Sequence, residues 1–283
     1  MGASAGDLLA RDVVIRWLED AGFQTDIATA APFTDGIDWR LTDPSSYAYV
    51  IFVCGPVGNG PPLLEFFDHF KDSHLIGVNL SMLDPLETWN PFALLLERDS
   101  SRTARPDLVL LSESPRVPVV GLILIDAQPE YTANQLEGAH DTIGRFISQR
   151  EMSVVRIDTR LDENRTGLRT SAEVESLIAR MDLVITTRLH GTVLALKNGV
   201  PPIAIDSVAG GAKISRQVQA LGWPIGIPVE RLSVEALAAA FDYCLSPEAR
   251  AQAIACRERA KPTLLQARDQ FIQFVQASAP GVR

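Results

Sequence analysis

The sequence predicts an α/β protein of two Rossmann-like halves, each built on a parallel sheet. Three observations carry this. Short β-branched runs recur along the chain: 47–54 (YAYVIFVC), 74–79 (HLIGVN), 119–125 (VVGLILI), 153–158 (SVVRID), 182–187 (DLVITT) and 201–206 (PPIAID). Segments with apolar residues at helical spacing separate most of them. A polar stretch at 99–116, with Pro106, Pro115 and the following Pro118, interrupts the alternation and reads as a linker. The expected domains are therefore 1–114 and 115–283.

In the first half, Leu8, Leu9, Val13, Val14, Trp17 and Leu18 share one helical face, and Gly22 stands where a helix ends. Residues 23–28 (FQTDIA) read as a short strand. The strand 47–54 runs into a Gly/Pro-rich turn, GPVGNGPP, in which Gly55 would let backbone approach a ligand. Residues 63–70 read as a helix. In the second half, 134–150 reads as a helix, and so does 170–181, opened by Thr170 with Glu173 three residues on. A short helix at 192–198 ends at Gly199. Helices follow at 215–221, 234–245 and 247–277, the last long enough to pack back on the first half.

Composition excludes several functions. With 46% hydrophobic and 22% charged residues, the chain of 283 residues is globular rather than disordered. Its net charge of −9 argues against nucleic-acid or anionic-membrane binding, which rely on basic surfaces. Cys54, Cys244 and Cys256 lie far apart and offer neither a disulfide framework nor a zinc site; no metal is expected. No apolar run is long enough for a transmembrane helix, and no secretory signal is visible. A cytoplasmic location is expected, with peripheral association with an inner membrane allowed.

The densest chemical signal is DLVITTRLHG at 182–191. It reads as strand, tight turn and helix start, with Arg188 and His190 just past a strand's carboxyl end. Gly191 and Thr192 would begin the helix, where unpaired N–H groups and the positive dipole end favour an anion. Arg188 adds a fork suited to carboxylate or phosphate, and His190 a group that exchanges protons near neutral pH. A lone arginine can also pair with a buried carboxylate, and a lone histidine can be a core residue; the residue types alone leave this open.

This segment, with Lys213 and Leu221-Gly222 beyond it, resembles the C-terminal signature of the polysaccharide pyruvyl transferase family. Gly6-Asp7, Arg98-Asp99 and Pro106-Asp107 resemble weaker N-terminal features of that family. The resemblance implies a GT-B-like fold with a cleft between the halves, acceptor on the first and donor on the second. It implies transfer of the enolpyruvyl unit of phosphoenolpyruvate to two hydroxyls of a sugar in a cell-envelope polysaccharide or lipid-linked precursor. The product is a pyruvate ketal; phosphoenolpyruvate is the donor substrate and no cofactor is implied. Arg188 would hold the donor's anion, His190 would protonate its methylene carbon, and the backbone of Leu189 and Gly191 would complete the cradle with Thr192. Lys213 would neutralise the leaving phosphate, and Asp7 would belong to the family's Gly-Asp.

The chain departs from the family pattern in three places. The family's first strand is missing before Gly6-Asp7, or the start is mis-set; a missing strand would leave a gap or an exposed edge that a partner chain, as in a homo-oligomer, or a rearranged sheet could fill. The segment between Asp99 and Pro106 is short. The strand 119–125 is followed by Asp126 and Glu130 but lacks the family's second donor arginine. Arg156, Arg160, Arg165 or Arg169 could substitute, or could line a solvated loop. His69, His74 and His140 read as structural, and Trp89 as packing. Two alternatives stand beside the transferase: a degenerate, non-catalytic binding protein, and a glycosyltransferase using a nucleotide sugar.

Overall fold

The computed structural model describes residues 4–28, 36–61, 63–125, 136–208 and 213–278. The chain divides into two compact units, Met1–Pro115 and Arg116–Arg283.

The first unit opens with α1 (Ala5–Asp20). Ser4 caps it: the serine hydroxyl accepts the Asp7 N–H, and the Asp7 carboxylate accepts the Ser4 N–H at 2.6 Å. Ala10, Val13 and Val14 form its buried face. Residues 23–28 do not form the expected strand; only Ala28 makes a bridge, to Ile37. No strand precedes α1 among the described residues.

The first sheet is parallel. β3 (His74–Met82) lies between β1 (Tyr49–Val53) and β4 (Leu94–Asp99). The GPVGNGPP loop is not all turn: its Pro56 and Val57 form β2, paired with Ser81 and Met82 of β3. The helix α2 (Leu63–His69) supplies Leu63 and Phe67 to a core of Val57, Phe70, Leu75, Leu80 and Phe92.

The stretch 99–116, expected to be a free linker, folds onto this unit. Asp99 bridges Ala104, and Leu108–Leu111 form a 3-10 turn capped by Asp107 and packed on α1.

The second unit holds a five-stranded parallel sheet in the order β6-β5-β7-β8-β9. The strands are β5 (Val119–Ile123), β6 (Ser153–Arg156), β7 (Leu183–Thr186), β8 (Pro202–Asp206) and β9 (Gly226–Pro228). β7 and β8 are buried along their whole length, as a central parallel strand requires.

Five further helices surround this sheet in chain order: α3 (Leu136–Ser148), α4 (Ser171–Ile178), α5 (Leu189–Lys197), α6 (Lys213–Leu221) and α7 (Val234–Cys244). Thr170 caps α4 as the sequence indicates, but Glu173 reaches back to the Arg169 N–H, at 2.6 Å, rather than to that of Thr170. Trp223 is 3% exposed, and its indole N–H donates to the Pro202 carbonyl at 2.8 Å, tying the end of α6 to the start of β8. The last helix, α8 (Pro247–Ser278), packs against α5, α6 and α7 and buries Ala249, Ala253 and Cys256. Its residues from Lys261 to Ser278 are exposed.

Candidate functional site

Ligands of open parallel sheets lie outside the strands' carboxyl ends, at the point where strand order reverses. In the second unit that point falls between β5 and β7. The chain goes outward from β5 to β6, then returns across β5 to β7 and proceeds the other way. Arg188 stands at this reversal, two residues beyond β7.

Buried threonines shape the turn. Thr186 donates its hydroxyl to the Ile123 carbonyl of β5 (3.0 Å) and accepts the Arg188 N–H (3.0 Å). The Thr187 hydroxyl accepts the Ile125 N–H at 2.9 Å. The helix then begins at once: α5 starts at Leu189, three residues earlier than the sequence suggests, and Arg188 is its N-cap. Gly191 permits this. A Cβ there would lie 2.2 Å from Thr186 Oγ1 and 3.0 Å from Ile123 Cγ2, so only glycine lets the first turn sit on the two strand ends.

The start of α5 differs from its neighbours. A helix start leaves up to four N–H groups without an intrahelical acceptor, and a Ser, Thr or Asp side chain normally accepts one. Ser4, Thr170, Ser233 and Ser246 do this for α1, α4, α7 and α8. Asp206, 3% exposed, does it for α6 by accepting the Ser215 N–H at 2.9 Å. Arg188 makes no such bond. The first turn of α5 therefore presents N–H groups without a side-chain acceptor, at its positive dipole end.

Arg188 reaches back over β5 and β6. Its Nε donates to the Leu124 carbonyl at 3.0 Å, and its Nη1 donates to Thr159 Oγ1 at 3.5 Å. Nη1 also lies 3.8 Å from Asp158 Oδ1, with both side chains 13% exposed. No hydrogen bond engages Nη2 among the described residues.

The other expected site residues fall as follows. His190 is exposed on the first turn of α5, beside the uncapped N–H groups. Leu189 is half-buried and packs its side chain on the core, leaving its backbone at the helix start. Thr192 turns inward: it is fully buried, and its N–H and hydroxyl both engage the Arg188 carbonyl, at 3.1 and 3.4 Å. Lys213 is exposed at the first position of α6, which packs on α5.

Two of the four candidate substitute arginines pair with neighbouring carboxylates. Arg160 pairs with Asp162 at 2.6 Å and with Glu163 at 3.4 Å; its guanidinium draws the Asp162 carboxyl down to about 2. Arg169 pairs with Glu173 at 3.1 Å on the α4 surface. Asp126 and Glu130 lie outside the described residues. Asp158, Thr159, Asp206 and Ser215 were not singled out from the sequence. Their one sequence signal is position, at or just beyond a strand's carboxyl end or in the first turn of a helix.

In the first unit the carboxyl strand ends carry a different cluster. Arg98 of β4 donates through Nε to Asp99 (3.1 Å), through Nη1 to Asp107 (3.0 Å) and through Nη2 to Ser81. Asp107 also accepts the Asn79 amide at 2.9 Å, and Asn79 Oδ1 accepts the Leu108 N–H at 3.2 Å. Cys54, whose thiol accepts from Asn79 at 3.1 Å, and Asn79 itself hold positive φ of 63° and 59°. Burial pushes the Cys54 thiol up. Gly55 follows at φ 88° and serves the turn into β2. Asp7 is engaged in capping α1. No group of three metal-ligating side chains occurs among the described residues. No helix of the described residues is long and apolar enough to cross a membrane.

Residues 102–207 match the family model of polysaccharide pyruvyl transferase, the family that the RLHG segment resembles. The match spans the end of the first unit and the second unit through β8. No curated protein matches the sequence. Similar solved structures include CalG4, the calicheamicin glycosyltransferase (18% identity, TM-score 0.39), and the glycotransferase of kitacinnamycin (14% identity, TM-score 0.36). The similarity covers 78% and 76% of this chain, but only 56% and 58% of theirs.

Proposed function

We propose that the second unit binds phosphoenolpyruvate and that the chain transfers its enolpyruvyl carbons to a sugar diol as a pyruvate ketal. The diol would belong to a cell-envelope polysaccharide or a lipid-linked precursor. The observation that carries this reading is the uncapped start of α5 at the strand reversal, with Arg188 beside it. An anion is the natural complement of unpaired helix N–H groups and a guanidinium edge. The family match over 102–207 supports the choice of donor.

The roles follow from position. Arg188 Nη2 and the N–H groups of Leu189 and Gly191 hold the donor's carboxylate or phosphate. His190, on the same turn, gives a proton to the methylene carbon, which leaves C2 electron-poor. One sugar hydroxyl bonds to C2 and returns its proton to His190. The second hydroxyl bonds to C2 as the C–O bond to phosphate breaks, and its proton leaves on the phosphate. Lys213 stands on the neighbouring helix as a counter-charge for that leaving group.

Calorimetric titration tests the donor. Phosphoenolpyruvate should bind the wild type saturably, UDP-sugars should not, and Arg188→Ala should weaken binding about 30-fold or more, as loss of a buried charge-assisted partner costs about 2–5 kcal/mol. His190→Ala should abolish turnover and leave donor affinity within about threefold, since proton transfer acts in the transition state rather than in binding. A wild type that ignores phosphoenolpyruvate and binds a nucleotide sugar would overturn the proposal.

A further inference from the structure

The carboxylate nearest Arg188 is not a mobile surface group. Asp158 follows β6 and is fastened within its own loop. Its Oδ1 accepts the Arg160 N–H at 2.9 Å and its Oδ2 the Arg165 N–H at 3.3 Å. Its own N–H donates to Thr166 Oγ1, and its carbonyl accepts the Asn164 amide at 3.0 Å. Asn164 closes the loop by also donating to the Arg160 carbonyl and accepting the N–H groups of Thr166 and Leu168. A carboxylate held by two backbone N–H groups cannot follow the guanidinium if that moves; the guanidinium must orient toward it.

Arg188 meets three groups at two of its nitrogens: Leu124 O at Nε, and Thr159 Oγ1 and the Asp158 carboxylate at Nη1. These leave the Nη2 edge. We propose that Asp158 is a positioning residue, whose loop-anchored carboxylate turns the Arg188 fork so that Nη2 faces the donor's anion. The inference rests on the donor reading above and adds a residue to it.

The sign of one substitution separates positioning from plain electrostatics. A fixed negative charge near an anion site repels the ligand, so Asp158→Asn would tighten phosphoenolpyruvate binding if charge were the whole effect. Positioning requires the reverse, about a tenfold weakening. The loss should also act through Arg188. In an Arg188→Lys background Asp158→Asn should change affinity less than twofold, because a lysine ammonium is a point charge with no fork to orient.

The experiment is calorimetry with phosphoenolpyruvate on the intact chain, for wild type, Asp158→Asn, Arg188→Lys and the double variant. Tighter or unchanged binding in Asp158→Asn overturns the proposal, and so does a loss of the same size in the lysine background. If Asp158→Asn does not fold, Asp158→Glu replaces it: it keeps the charge but displaces it by one methylene, and should still weaken binding severalfold. Unchanged affinity there overturns the proposal. If the wild type does not bind phosphoenolpyruvate, the donor reading fails, and the same four proteins are compared by urea unfolding. Positioning predicts that Asp158→Asn shifts the midpoint at least twice as far with Arg188 present as with lysine; additive shifts overturn it.

Discussion

Arg98 and Arg188 occupy equivalent places, each just at or past the carboxyl end of a parallel strand, yet their surroundings make them different devices. Arg98 has a protein acceptor for each nitrogen: Asp99, Asp107 and Ser81. It fastens the segment 105–111 to the first sheet, with a protein partner at every nitrogen. Among the described residues Arg188 has acceptors for Nε and Nη1 only, and it stands at the start of α5, which no side chain caps, unlike the starts of α1, α4, α6, α7 and α8. An arginine in a sheet's crevice is a receptor or a clasp according to how many of its donors the protein has already engaged. Residue type and strand position do not distinguish the two.

The largest test of this contrast is a crossed pair of variants. Arg188→Ala should remove most donor affinity, as stated above. Arg98→Ala should leave that affinity within about twofold, while lowering unfolding stability by about 1–3 kcal/mol, the scale of charged hydrogen bonds lost from partly buried partners. Calorimetry and urea unfolding read both; a large loss of donor affinity in Arg98→Ala would erase the distinction.

Gly191→Ala sharpens the receptor side. Its Cβ would meet Thr186 Oγ1, so the start of α5 must lift from the strand ends. A stability loss of about 1–3 kcal/mol is expected, as for other overpacked sites, together with weakened donor binding. Full donor affinity in this variant would show that the helix start need not lie on Thr186.

The smallest effect is on the clasp side and depends on pH. Burial raises the Asp107 carboxyl, but the Val109 N–H, Asn79 and Arg98 outweigh it and hold the group below its ordinary value of 3.8. A carboxyl depressed in the folded state adds stability above its unfolded value and loses it as pH falls through the folded one. The midpoint difference between wild type and Asp107→Asn should therefore be constant near neutral pH and narrow below about 4. A difference that persists undiminished at low pH would show that the Asp107 charge does not hold the clasp.

Much of the second unit was legible because its signals are local. Buried strands read as apolar runs, and Thr170 marked the start of α4 directly. Arg188 and His190 stood out because a strand, a turn and a glycine follow one another within ten residues. What escaped depends on distant partners. The sequence marks the region of Gly191 as the start of a helix, but it does not show that Thr186 lies under it, so α5 begins three residues before the expected 192. The 99–116 stretch looks like a linker by composition, yet Asp107 finds Asn79, 28 residues back, and Arg98. Residues 23–28 have the look of a strand but lack a neighbour among the described residues beyond one bridge. Asp158 was invisible for the same reason: nothing in RIDTR shows that its carboxylate faces an arginine 30 residues on.

The indole of Trp223 gives the molecule a built-in optical label. Three of the four tryptophans, Trp17, Trp39 and Trp89, belong to the first unit, and Trp17 is 44% exposed. Trp223 alone reports on the second, from a dry site with its N–H bonded to Pro202. A protein in which the other three are phenylalanine would emit from a single apolar environment. Its red shift on unfolding would follow the loss of the β8–α6 region alone, without any attached dye.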